Sequence, residues 1–147
     1  MNEHTLSQSV LVKPSLDPEV RTANATGSGV NCAGYDRALV ILHIGAHDRT
    51  TGDETLDVKI QESSDDGSTD TYADVTSGAF AQIAGVVPNA TRGNVYLLDI
   101  KLGKREQYLR AVGTVGGTTP STAYGVSFIL YRGSKAPVSQ DNTVVRV

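Results

Sequence analysis

The chain has 147 residues, 20% of them charged, with 13 Lys and Arg against 16 Asp and Glu for a formal net charge of −3. That length allows one domain that buries roughly 68–70% of the surface its unfolded form exposes. The near-balance of charge argues against a dedicated nucleic-acid binder, which carries an excess of Lys and Arg on one face.

No apolar run approaches the ~18 residues needed to cross a bilayer. Met1 to Gln8 lack the basic and apolar regions of a secretory leader, so folding in a cytosol is expected. Cys32 is the single cysteine, which excludes an internal disulfide. Without secretion, the glycosylation triplets at Asn24 and Asn89 are expected to be chance matches.

Along the chain, Val10-Leu11-Val12 is a short apolar burst followed by Pro14 and Pro18. Proline has no N–H to give a central ladder, so residues 1–18 read as an extended arm or an edge strand. Val20 to Thr26 and a segment around Val30 are short strands separated by Gly27-Ser28-Gly29. Arg37 to Ala46 differs, because Ala38 through Leu42 and Ile44 are apolar at consecutive positions. Its β-branched content and the stop at Gly45 predict a central strand, with one face in the core and the other under an arm or a neighbour.

Residues 55–67 carry the clearest local signal. Leu56, Val58 and Ile60 alternate with Asp57, Lys59 and Gln61, and Ser64-Asp65-Asp66-Gly67 then breaks the run. Period-two alternation ending in Asp-Gly predicts a strand entering a tight hairpin. Asp74-Val75 and Phe80 to Ile83 read as short strands separated by Ser77-Gly78, and Val86 to Gly93 as a loop. Asn94 to Leu102 alternates again, Gly103 to Glu106 turns the chain, and Gln107 to Val115 returns. After Gly116 to Pro120, Thr122 to Tyr131 sets Tyr124, Val126, Phe128 and Leu130 on one face.

Strands at intervals of ~8–12 residues with Gly-rich turns predict an all-β fold. The expected architecture is an antiparallel β-sandwich of jelly-roll type. The sandwich would cover 19–132, between an N-terminal arm (1–18) and a C-terminal arm (133–147).

The chemistry-bearing residues yield no catalytic, cofactor-binding or metal-binding assignment. His43 and His47 are four apart with Asp48 adjacent, but on a strand that separation is ~13 Å, too far for two ligands to meet at one ion. Glu62, Asp65, Asp66 and Asp70 lack the spacing of a calcium loop and suit a hairpin tip. Cys32 has no assignable base and reads as a small buried residue. Lys101, Lys104, Arg105, Arg110 and Arg132 interleave with Asp99 and Glu106, a solvated surface or a face for an acidic protein. The apolar residues of the two arms, Val10, Leu11, Val12, Val144, Val145 and Val147, are the candidate partner-binding residues. They either pair as edge strands of their own domain or add strands to another subunit.

Three segments carry a resemblance: Val20 to Gly29 (VRTANATGSG), Leu39 to Asp66 centred on TLDVKIQESSDD, and Tyr108 to Ser121 (YLRAVGTVGGTTPS). In that order they resemble small structural proteins of tailed bacteriophages, most of all capsid decoration (cement) proteins, over residues 18–137. The resemblance implies a non-enzymatic sandwich without cofactor, assembled as a homotrimer on the outer surface of the capsid. Its partner would be the major capsid protein, with no direct contact to nucleic acid or membrane. The location would be the virion, assembled in the bacterial cytoplasm. Two alternatives stand beside it: a neck or tail structural protein, and a carbohydrate-binding sandwich for host adhesion. The second is disfavoured by the absence of Trp and by Tyr and Phe that fall mostly on core positions.

Overall fold

The alternating run at Thr55–Ser63 does form a strand with Leu56, Val58 and Ile60 buried. The computed structural model describes residues 5–47, 51–84, 94–134 and 139–140. A single helical turn, α1 (Leu6–Ser9), precedes β1 (Leu11–Arg21), β2 (Ala25–Thr26), β3 (Val30–Asn31), β4 (Tyr35–His47) and β5 (Thr55–Ser63). Then come β6 (Ala73–Ala79), β7 (Ile83–Ala84), β8 (Asn94–Lys101), a 3₁₀ turn (Leu102–Lys104), β9 (Tyr108–Gly116) and β10 (Thr122–Gly133).

These strands form an all-β antiparallel sandwich. One sheet has four strands in the order β1-β10-β4-β8. The other has six, in the order β2-β9-β5-β6, with β3 also on β9 and β7 also on β5. β2 with β3, and β6 with β7, each pair along one edge of a longer strand and act as broken single strands. Counted so, every connection except β5 to β6 crosses from one sheet to the other. The core lies between the layers. Val40, Leu42, Val126, Phe128 and Leu130 project into it from the first sheet and Leu56, Ile60, Leu109 and Ala111 from the second, all fully buried. Each such side chain contributes roughly 1.5–3 kcal/mol on removal from water.

β4 is central in its sheet, as its continuous apolar run predicts, with β10 on one side and β8 on the other. Of residues 1–18, expected as an arm or an edge strand, those from Leu11 on belong to the edge strand β1, which runs on to Arg21. Its two register shifts, after Pro14 and after Leu16, accommodate the prolines. Between them Ser15 turns inward and joins the layers. Its Oγ donates to the Ser28 carbonyl at 2.9 Å and accepts from the Ala111 N–H of β9 at 3.0 Å.

Three local expectations are corrected. The β5–β6 connection is wider than a tight hairpin, because pairing stops at Glu62 and Ala73. Asp66 and Gly67 do take positive φ, 61° and 79°, but the loop is organised by Asp65. That carboxylate accepts the N–H groups of Ser68, Thr69 and Asp70 at 3.0, 2.8 and 3.1 Å.

The turn at 102–104 does not fold β9 back onto β8. It carries the chain between sheets, since β8 pairs with β4 and β9 with β5. Local alternation fixes which face of each strand is buried but not which strand lies beside it. Ser77-Gly78 is a bulge within β6 rather than a break, with Ser77 at φ 60° and pairing that jumps from Asp74 to Ala79. The loop expected at Val86 to Gly93 lies outside the described residues.

Two measurements check these placements. Tyr124 reaches across the core to β9, where a Cβ on Gly113 would stand 2.1 Å from its hydroxyl oxygen. Among the described residues the buried Tyr124 hydroxyl has no hydrogen-bond partner. Gly113→Ala should therefore cost about 1–3 kcal/mol in urea unfolding through overpacking. Tyr124→Phe should be neutral or stabilising, and should recover part of the loss in the double variant. Equal losses with and without the hydroxyl would contradict the contact. In the β5–β6 loop, the hydroxyl of Thr69 and then its N–H lower the Asp65 carboxyl to about 2. A carboxyl-carbon NMR titration should find Asp65 ionised until the pH falls to about 2. The loop's contribution to stability should be complete above the unfolded value, decline as pH falls below it and be lost once pH passes about 2.

Candidate docking surface

The outward face of the four-stranded sheet is unusually apolar. Register places Leu39, Ile41 and His43 of β4 beside Asp99, Leu97 and Val95 of β8, and Ile129 and Ser127 of β10 beside Leu39 and Ile41. Val12 of β1 lies opposite Ile129 and Val20 opposite Ala123. Val20, Val95 and Leu97 are 64%, 52% and 60% exposed. With Leu6 of α1, they are the large apolar side chains that the described residues leave in water.

Each end of this face is differently finished. At one end Pro18 lies over Gly125, where a Cβ would stand 2.9 Å from the proline Cα. Pro18, Val20, His43, Gly45 and Ala123 there line an open groove of about 360 Å³ with Glu19 and Tyr124. The Glu19 carboxylate pairs with Arg21, whose guanidinium lies 5.3 Å from the Tyr124 ring centre. At the other end Arg37 grips Asp99 with two bonds, Nε to Oδ1 at 3.1 Å and Nη2 to Oδ2 at 2.7 Å. The Tyr131 hydroxyl joins them, accepting from Arg37 Nε at 2.9 Å and donating to Asp99 at 3.0 Å. The Arg37 bond, ahead of that from Tyr131, holds the Asp99 carboxyl below the usual range. At this end the Arg37–Asp99 pair is closed, beside the exposed Lys101, and the middle of the face is left to apolar contact.

The residues singled out from sequence are scattered. Val10 precedes β1, and Leu11 and Val12 belong to it. Leu11 packs against the core, and Val12 N–H donates to the Gln140 side chain at 3.2 Å. That same amide donates to the carbonyls of Ser7 at 3.0 Å and of Val10, bracing the N-terminal turn against the start of β1. Val144, Val145 and Val147 lie outside the described residues.

His43 is exposed on the outward face, while Asp48 lies outside the described residues, as does the side chain of His47. The acidic cluster is satisfied by its own loop and by the β8–β9 connection. Glu62 takes Arg105 at 3.2 Å and the Glu106 N–H at 3.0 Å. Asp66 takes the Tyr72 hydroxyl at 2.5 Å, and Asp70 the Ser64 N–H at 2.7 Å. Among the described residues no group of three or more His, Cys, Asp or Glu is placed to hold a metal ion.

Cys32 is buried, and burial pushes its thiol up to about 12, so it holds its proton at neutral pH. The basic residues do not converge. Arg110 stacks on Tyr72 at 3.8 Å on the other sheet, whereas Lys101 and Arg132 share a depression with Asp36 and Arg37. Sequence reading expects the outer face of β4 to lie under an arm or a neighbour, but does not extend that face to β8. The signal was present in β8, where Val95 and Leu97 sit off the inward alternation of Tyr96, Leu98 and Ile100.

Compared with known proteins, the chain matches no family model and no curated sequence.

A face that is not needed for the fold tolerates charge. Leu97→Asp should change unfolding stability by no more than about 0.5 kcal/mol. Ile100→Asp, at a buried position on the same strand, should unfold the protein or cost several kcal/mol through an unpaired buried charge. Urea titration checks both. A large loss for Leu97→Asp would show that the isolated chain already covers this face.

Proposed function

We propose that the chain is a non-enzymatic structural protein that docks on the outer surface of a phage-type capsid and stabilises it, a decoration or cement protein. The observation that carries this reading is the apolar outward face of β4 and β8, with Val95 and Leu97 exposed beside the Arg37–Asp99 pair. Contiguous apolar surface on a folded domain marks an interaction site, here read as one for another protein. A paired charge at its rim gives register to the docked partner without leaving an ion buried alone.

The strand order supports the jelly-roll form of the sandwich. Two four-strand layers, with every connection but one crossing between them, follow that winding. The resemblance in residues 20–29, 39–66 and 108–121 supports the phage assignment, with the major capsid protein as partner and a homotrimer as the assembled unit.

A single docked face need not be tight for the assembly to hold. Held in a trimer over a repeating lattice, several act together, and the effective concentration of each after the first makes the whole tight. A protein that binds only the assembled shell then stabilises that shell by mass action.

Copy number separates this reading from a neck or tail part. In particles purified by density gradient, quantitative mass spectrometry should find the chain in hundreds of copies. Leu97→Asp should lower its occupancy at least tenfold while leaving its fold intact. A dozen copies or fewer, or occupancy unchanged by Leu97→Asp, would reject the proposal.

A further inference from the structure

The connection from β4 to β5 and the connection from β9 to β10 both cross between the sheets, and they meet at Thr51, Asp53, Glu54 and Thr118. Asp53 anchors the meeting point. Its two carboxylate oxygens accept the Thr118 N–H at 3.1 and 3.0 Å, and Oδ2 also accepts the Thr118 hydroxyl at 2.9 Å. The Thr51 hydroxyl oxygen lies 2.5 Å from Asp53 Oδ1, 2.6 Å from Glu54 Oε1 and 3.5 Å from the Thr118 carbonyl oxygen. A hydroxyl carries one hydrogen, so it satisfies one of these oxygens at a time. The others face it oxygen to oxygen.

Glu54 sharpens the problem. Its residue is only 1% exposed, and no donor among the described residues reaches its Oε2. An ionised carboxylate buried with an oxygen unpartnered is costly unless a positive charge or a proton compensates it. Two carboxylates, a hydroxyl and a main-chain carbonyl are hard oxygen donors. Calcium accepts such a set at irregular angles, whereas magnesium demands near-octahedral order.

We propose that Thr51, Asp53, Glu54 and the main-chain carbonyl of Thr118 form a calcium-binding site that pins the two inter-sheet crossings together. With only two carboxylates it belongs to the weak class of calcium sites, with Kd about 10⁻⁴ to 10⁻³ M. The site does not depend on the decoration reading, and its test needs no particle.

The full chain, stripped with chelator, is titrated with calcium chloride by calorimetry and by thermal unfolding, with magnesium chloride at equal ionic strength as comparator. The expected result is one calcium per chain, a Tm that rises with calcium, and magnesium at least tenfold weaker. Glu54→Gln and Asp53→Asn should each weaken calcium at least tenfold, while Asp74→Asn, on β6, should leave it unchanged.

Should a variant fail to fold, amide NMR of the unaltered chain locates the site. The Thr51, Glu54 and Thr118 signals should shift with calcium, and those of the 64–72 loop should not. No heat and no Tm change up to about 10 mM calcium, tenfold above the weakest such site, would overturn the proposal. Calcium binding that ignores both substitutions would overturn it too.

Discussion

The structure depends on two sheets sharing one core, so that each long strand commits one face inward. Tyr124 illustrates how closely the layers are fitted, reaching from β10 to the backbone of β9 at Gly113. Ser15 does the same with hydrogen bonds at the edge, joining β1 to β9 and to the segment before β3. Because almost every connection crosses between layers, neither sheet can form alone. A contact such as Ile60 against the opposite layer is long-range in sequence. Folds of that kind close slowly and depend on the whole core.

That inward commitment makes the outward faces informative. On the six-stranded sheet the outward positions of β5 and β9 carry Lys59, Gln61 and Arg110, tied by bonds to Asp74 and among themselves. This is a solvated, self-satisfied surface. On the four-stranded sheet the corresponding positions carry Leu39, Ile41, Leu97 and Ile129. The asymmetry is not set by the core, since Val95 and Leu97 point away from it and are 52% and 60% exposed. It is the feature a docking role explains.

Much of the fold was legible in the sequence, and the limits have physical causes. The alternation of Leu56, Val58 and Ile60 and the continuous apolar run of β4 report burial directly, so strand type and centrality could be read. Adjacency could not. A turn such as Gly103 to Glu106 looks the same whether it folds a hairpin or crosses between sheets, because the choice is made by distant partners.

The candidate surface was less legible for the same reason. Val20, Val95 and Leu97 come from separate strands and meet only through register with β10 and β4. Asp53 is not legible from sequence because its partner, Thr118, lies 65 residues away.

The central claim is that the outward face of β4 and β8 is the surface another protein covers. Electron cryo-microscopy of gradient-purified particles tests it most directly. The expected map places the β1-β10-β4-β8 sheet against a coat subunit, with Leu97 and Ile41 in the contact. A map in which that sheet faces solvent, or in which the chain contacts its neighbours only through the β5–β9 sheet, would contradict it.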